Sequence, residues 1–234
     1  MFKFQQFTVH QDKCAMKVGT DGVLLGAWAK GGNHILDIGT GTGLIALMMA
    51  QRYSKAIISA IDIDEDACMQ ARENVEECPF KDRIHVFHSS LQDFSYQWLS
   101  ERKPLFDSIV SNPPFFVNSL KNPDQKRTLA RHADTLPFSD LFRSVSKLLT
   151  ADGVFSAIIP TEQIKDFMAE AYLNALYPVR IIHVKTTPSK QPKRCLLAFS
   201  PQPPHSIDEQ TINLLTPTGE RSDWYQEVTK DFYL

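Results

Sequence analysis

His34-Ile35-Leu36-Asp37-Ile38-Gly39-Thr40-Gly41-Thr42-Gly43 decides the fold. Its first five residues form a short strand-like apolar run, and Leu44, Leu47, Met48 and Met49 then recur at helical spacing over 44–52. A strand that passes through alternating glycines into a helix is the opening unit of a doubly wound sheet, whose carboxyl edge receives the ligand. Glycine permits the tight turn and lets a ligand approach the peptide plane where a Cβ would clash. The spacing is G-x-G-x-G, not the G-x-G-x-x-G of dinucleotide sites. Asp37 adds a charge that repels a pyrophosphate but attracts an amino-acid ammonium. S-adenosylmethionine fits this loop better than a dinucleotide, with Asp37, Gly39, Gly41 and Gly43 as its contacts.

The same rhythm continues on both sides. Strands are expected at 56–61, 83–88, 106–110 and 154–159, and helices at 65–77 and 140–149, the latter stopped by Asp152-Gly153. Repeated strand-helix units imply a mostly parallel sheet with helices on both faces. Segments 179–184 and 195–199 read as an antiparallel hairpin with a long loop. Phe2, Phe4 and 7–9 suggest short strands before a helix at 21–30, and 201–204 links to a last strand at 211–215 and a helix at 224–232. The expected organisation is one domain over 1–234. An extension at 1–30 caps the cofactor site, 31–200 is the catalytic core, and 201–234 is an appendage packed on it.

Two further signals carry chemistry. Asp62 closes the second strand 19 residues beyond Gly43, about where an acidic side chain meets ribose hydroxyls in nucleoside-binding folds of this type. After the fourth strand comes Ser111-Asn112-Pro113-Pro114-Phe115-Phe116. Consecutive prolines fix the backbone and forbid helix, which holds Asn112 at the strand end. An exocyclic amine on a nucleobase is a poor nucleophile because its lone pair is delocalised. If the Asn112 side-chain oxygen and the Pro113 carbonyl each accept one of its hydrogens, electron density returns to nitrogen, and positioning replaces a strong base. Phe115 can stack on the base, worth roughly 1–3 kcal/mol. A Pro-Pro turn followed by two core phenylalanines is the competing explanation of the motif.

These motifs resemble the amino-methyltransferases of the class I, S-adenosylmethionine-dependent fold. More closely, Gln6-Phe7, the run from Met16-Lys17-Val18-Gly19-Thr20-Asp21 through Gly26-Ala27-Trp28, and Arg131-His132 with Leu136 resemble the bacterial tRNA1(Val) (adenine(37)-N6)-methyltransferases. The likeness runs over nearly the whole chain. It implies an α/β, Rossmann-like fold with a mostly parallel seven-stranded sheet and an antiparallel C-terminal hairpin. It also implies that Gly39, Gly41 and Asp62 hold the cofactor and that Asn112, Pro113 and Phe115 hold the adenine beside the anticodon. Lys17, Thr20 and Asp21 occupy the region that caps the cofactor end in such enzymes; Thr20 or Asp21 as a helix N-cap is the plainer alternative. Where many relatives carry an acid after the third strand, this chain reads His88-Ser89-Ser90-Leu91, leaving Ser90 with Leu91, or Asp93, for the cofactor's adenine.

Composition sets limits around this reading. Of 234 residues, 43% are apolar and 22% charged, which excludes global disorder, and 25 basic against 27 acidic residues exclude a blanket basic field. Basic character is local instead. Lys121, Lys126, Arg127 and Arg131 face only Asp124, while Lys185, Lys190, Lys193 and Arg194 face no acid within 185–194. Lys121, Arg127, Arg131, Lys190, Lys193 and Arg194 are therefore the candidate phosphate contacts for the anticodon loop of a tRNA. Solvated surface lysines are the competing explanation. Cys14, Cys68, Cys78 and Cys195 have no metal-ligand spacing, so no metal is expected. The N-terminus lacks a signal-peptide pattern and no apolar run is long enough to span a bilayer, so a cytoplasmic protein without membrane or obligatory protein partner is expected. His10, His85, His88 and His183 read as packed or surface histidines, and Trp28 and Trp98 as core. The alternatives in function are methylation of an rRNA base or a protein glutamine, a non-catalytic RNA-binding module, and a dinucleotide oxidoreductase, the last disfavoured by the glycine spacing.

Overall fold

The computed structural model describes residues 1–14, 17–114 and 136–233. The chain runs β1 (Phe2–Lys3), β2 (Thr8–Val9), α1 (Thr20–Trp28), β3 (His34–Ile38), α2 (Leu44–Arg52), β4 (Ile57–Asp62), α3 (Glu65–Glu76), β5 (Ile84–His88), α4 (Leu91–Ser100) and β6 (Phe106–Ser111). It continues through α5 (Phe138–Leu148), β7 (Leu149–Pro160), α6 (Ile164–Leu173), β8 (Tyr177–Lys185), β9 (Arg194–Ser200), β10 (Asp208–Asn213) and α7 (Asp223–Thr229). No helix among the described residues is long and apolar enough to cross a membrane.

The main sheet has the order β10-β8-β9-β7-β6-β3-β4-β5. Only β9 runs antiparallel to its neighbours, so the seven strands β3 to β9 form the expected mostly parallel sheet with its hairpin. The C-terminal β10 extends it to eight by pairing parallel to β8. Side chains alternate across the sheet, and each face has its own apolar layer. Leu24, Leu47, Val75 and Tyr225 from α1, α2, α3 and α7 cover one face. Phe94, Phe142 and Phe167 from α4, α5 and α6 cover the other. Phe142, Phe155, Phe167 and Phe199 pack ring on ring in that second layer and are fully buried.

Boundaries shift where tertiary pairing outweighs local signals. β7 begins at Leu149, immediately after α5, because Leu149 pairs with Phe106 while Asp152-Gly153 is absorbed in a register irregularity. Neither α4 nor α6 is evident from the periodicity alone. Ser90 with Asp93 is a capping-box-like start signal for α4: the serine Oγ accepts from Asp93 N at 3.1 Å and donates to Asp93 Oδ2 at 2.6 Å. Ile164, Phe167 and Ala171 form the short apolar stripe of α6.

α1 runs alongside α2, with Gly22 against Leu44 and Gly26 against Met48. A Cβ on Gly26 would stand 2.8 Å from Met48 Sδ, so glycine permits this approach. Thr20 therefore begins at the edge where α2 begins, and Trp28 ends at the opposite edge.

Candidate active site

The parallel strands deliver their ends to one edge in the order β6, β3, β4, β5. Ile38 is level with Ser111, Ile61 with Ile38, and His88 with Asp62. Asn112, Gly39, Asp62 and Ser89-Ser90 consequently follow one another along the carboxyl edge, although their sequence order is 39, 62, 90, 112. The chain reverses direction at β3/β6, the switch point where open α/β sheets take ligands. Ser111 Oγ donates to Ile38 O at 2.9 Å, a buried bond that ties the two strand ends together.

Gly39, Gly41 and Gly43 have φ of 71°, 56° and 83°, the left-handed region that side chains resist. At Gly39 an added Cβ would meet nothing among the described residues within 4 Å, so they leave open space above its backbone. Gly39 N and Thr40 N both donate to Ile61 O at 2.9 Å, and Gly41 N donates to Asp62 Oδ2 at 2.8 Å. The loop is thus fastened to β4 and to the acid at its end.

Asp37 is fully buried on the β3 face that meets α2. Its Oδ2 accepts from Thr40 Oγ1 at 2.6 Å and from Ala46 N at 3.1 Å, doing for the first turn of α2 what the N-cap Gly43 cannot. Its Oδ1 is buried with no hydrogen-bond partner among the described residues. Burial raises the Asp37 pKa to about 7, against the lowering effect of the Thr40 and Ala46 bonds and with a smaller contribution from Asp62. Burial likewise pushes the Asp62 carboxyl above its ordinary value, opposed by the bonds from Asp64 N and Gly41 N. Each Asp62 oxygen takes one of these bonds and so retains acceptor capacity.

Asn112 Oδ1 is the second orphan at this edge, buried and without a partner among the described residues. Pro113 beside it is buried. An unsatisfied buried acceptor costs about 1–3 kcal/mol unless a ligand supplies the donor. Asp37 Oδ1 suits a cationic donor and Asn112 Oδ1 a neutral amine hydrogen. Together with the space over Gly39 and the free capacity of Asp62, the residues present fit S-adenosylmethionine and an amine substrate.

Other candidate residues fall around this line. Ser90 Oγ is committed to capping α4, which leaves the Asp93 carboxylate and the Leu91 backbone at that end. Lys17 is exposed and its Nζ donates to Gln11 O at 2.5 Å, while Thr20 opens α1. The N-cap of α1 is Gly19, not Thr20 or Asp21, because Asp21 Oδ2 instead accepts from Arg194 Nε at 2.7 Å. Arg194 therefore faces an acid from a distant segment, and the loop cations left exposed are Lys190 and Lys193. That loop lies at the carboxyl edge on the Asn112 side, since β8 runs parallel to β6 and Thr161 N, just beyond β7, donates to Lys193 O at 3.2 Å. Phe115, Lys121, Arg127 and Arg131 lie outside the described residues. Among those residues no cluster of His, Cys, Asp and Glu could hold a metal.

Residues 10–14 lie across the glycine loop through two side chains not anticipated from sequence. Asn74, fully buried on α3, donates from Nδ2 to His10 O and Thr42 O at 2.8 Å each and accepts from His10 N at 2.8 Å. Gln70, one turn earlier, accepts from Lys13 N at 3.0 Å. Both lie in the charged run Glu65–Glu76, where the sequence does not mark which polar residues face inward, and packing buries them.

The Methyltransferase small domain model matches residues 17–137. A tRNA1(Val) (adenine(37)-N6)-methyltransferase of Parabacteroides distasonis is 48% identical over 235 residues, covering 100% of this chain and 97% of the relative. The chain belongs to this family. A second member, from Flavobacterium johnsoniae, is 45% identical and covers 100% of this chain and 99% of its own. Among solved structures, a predicted O-methyltransferase from Agrobacterium tumefaciens superposes with a TM-score of 0.71 at 16% identity, covering 91% of this chain and 96% of that one. At that identity it speaks for the fold alone, and the fold is that of class I methyltransferases.

Proposed function

We propose that the protein transfers a methyl group from S-adenosylmethionine to the exocyclic N6 of adenine 37 in the anticodon loop of a valine tRNA, in the cytoplasm. Its relatives' names supply the substrate. The observation that carries the chemistry is the orphaned Asn112 Oδ1, placed beside the glycine loop by the β3/β6 register. When bound, the cofactor supplies an electrophilic methyl group. Asp37 takes its ammonium, the Gly39 backbone leaves room for it, and Asp62 accepts from its ribose hydroxyls.

Asn112 Oδ1 accepts one N6 hydrogen and the Pro113 carbonyl the other, which turns the nitrogen lone pair out of conjugation. Asn112 is an amide and takes no proton, so the proton displaced from N6 leaves to water. Phe115 stacks on the adenine, Lys190 and Lys193 contact phosphates on the Asn112 side, and Lys121, Arg127 and Arg131 supply further phosphate contacts. The decisive experiment supplies labelled S-adenosylmethionine with total tRNA, rRNA and a release-factor peptide, followed by digestion and identification of the product. N6-methyladenosine at position 37 of tRNA1(Val) is expected. Transfer only to rRNA or to the peptide overturns the assignment, and no transfer to any of them favours a non-catalytic RNA-binding module.

A further inference from the structure

Arg194 ties together two segments of the carboxyl edge, one on the glycine-loop side and one on the Asn112 side. Its Nε donates to Asp21 Oδ2 at 2.7 Å and its Nη1 to Lys193 O at 3.0 Å. One guanidinium thus holds the first turn of α1 and the last peptide of the loop before β9. That loop is a compact unit: Lys190 N donates to Thr187 O at 3.1 Å, Lys185 Nζ to Pro188 O at 2.8 Å, and Lys193 N to Val184 O at 3.0 Å. On the other side Gly22, next to Asp21, packs on Leu44, the residue after Gly43; a Cβ there would stand 3.1 Å from Leu44 Cδ2. Contacts therefore run without a break from the glycine loop through Leu44, Gly22, Asp21 and Arg194 to Lys193.

The link is better sheltered than an ordinary surface pair. Its side chains are 35% and 26% exposed, the most enclosed ion pair among the described residues, so water screens it less. Asp21 is what keeps the cation in place. No side chain caps α1, and the positive end of its backbone dipole repels a guanidinium. With a neutral residue at 21 the attraction is lost and the repulsion remains.

We propose that Asp21 and Arg194 are a positioning pair for methyl transfer, holding the Lys190 and Lys193 loop, and the tRNA bound to it, at a fixed distance from the glycine loop. The proposal rests on the tRNA reading above, with those lysines on phosphates. Both residues act through the loop and not on the reacting atoms. Electrostatics without positioning predicts the opposite result at Asp21, since removing an acid beside a phosphate-binding loop tightens RNA binding and leaves transfer unimpaired.

The test is single-turnover methyl transfer to tRNA1(Val), with tRNA and S-adenosylmethionine saturating, in Asp21→Asn, Arg194→Gln and the double variant. Each single variant should be about fivefold slower or more, because a misplaced reactant lowers the rate even when bound. The double variant should be no slower than the slower single one, since one link can be lost only once. The tRNA Kd of Asp21→Asn should be no weaker than that of the wild type. S-adenosylhomocysteine affinity should stay within about twofold in all three variants, which shows an intact fold. Unchanged rates in the single variants, additive losses in the double, or a fall in S-adenosylhomocysteine affinity that matches the fall in rate would overturn the proposal. So would a loss confined to Arg194→Gln with weaker tRNA binding, the mark of a direct phosphate contact. A wild type that transfers nothing to tRNA refutes the function proposed above and this role with it, whereas an active wild type with unimpaired variants refutes the positioning pair alone.

Discussion

The proposed pairing of Asp37 with the cofactor's ammonium makes binding depend on pH in a calculable way. With a pKa of about 7 in the free protein, its carboxyl is largely protonated at pH 6 and largely ionised at pH 7.5. Only the ionised form pairs fully with an ammonium. If binding requires that form, the apparent Kd scales as 1 + 10^(pKa − pH), which makes it about eightfold weaker at pH 6 than at pH 7.5. Staying at or below pH 7.5 keeps most of the ligand's ammonium charged. The assay is calorimetric titration of S-adenosylhomocysteine at pH 6.0, 6.75 and 7.5. Asp37→Asn keeps the shape and removes the titration, so its affinity should be lower and flat across the series. A flat wild-type profile, or the same slope in Asp37→Asn, would refute the reasoning. Stability follows the same linkage with the opposite sense. The folded pKa of about 7 exceeds the ordinary 3.8, so the folded state binds the extra proton between these values. The stability this contributes is full below pH 3.8 and is lost as pH rises through 7, on the order of 4 kcal/mol at most. A bound ammonium offsets that loss, so the rise in Tm produced by S-adenosylhomocysteine should grow from pH 6 to pH 7.5.

Three other outcomes are expected. Asn112→Ala should abolish methyl transfer while changing S-adenosylhomocysteine affinity less than about threefold, because Asn112 acts on the amine and not on the cofactor; a comparable loss of affinity would place the residue in the wrong role. Asn74→Ala breaks three bonds at a fully buried position, with His10 backbone groups able to recover water but Thr42 O left facing the core. A loss of about 2–4 kcal/mol, seen as a fall in Tm of roughly 4–16 °C in thermal denaturation, should accompany weaker cofactor binding; an unchanged Tm would mean that residues 10–14 are not held this way. Lys190→Ala with Lys193→Ala should weaken tRNA binding and reduce the slope of log K against log salt by about 1.5, measured by filter binding, and an unchanged slope would remove this loop from the interface.

Local chemistry made much of this molecule legible in its sequence. The glycine turn announces itself because left-handed φ at Gly39, Gly41 and Gly43 is a property of single residues. α2 starts and stops at its periodic limits, and the two prolines after Asn112 rigidify that strand end whatever surrounds them. Asn74 and Gln70 were not legible, since a polar residue in a charged helix gives no sign of the face it occupies. Nor was the fate of Arg194, because the acid that neutralises it, Asp21, lies 173 positions away.

Sequence alone therefore determined the fold class, and it supplied the proposed cofactor loop and the proposed amine-accepting motif, each of which rests on neighbours in the chain. Only the tertiary structure decided their arrangement. By inserting β3 between β6 and β4, the sheet carries Asn112 back beside Gly39 and leaves Asp62 and Ser90 on the far side. Strand order is set by burying two faces of a twisted sheet, a global condition that no local pattern records. That same order puts the proposed amine acceptor Asn112 on one side of the glycine loop and the proposed ribose acceptor Asp62 on the other.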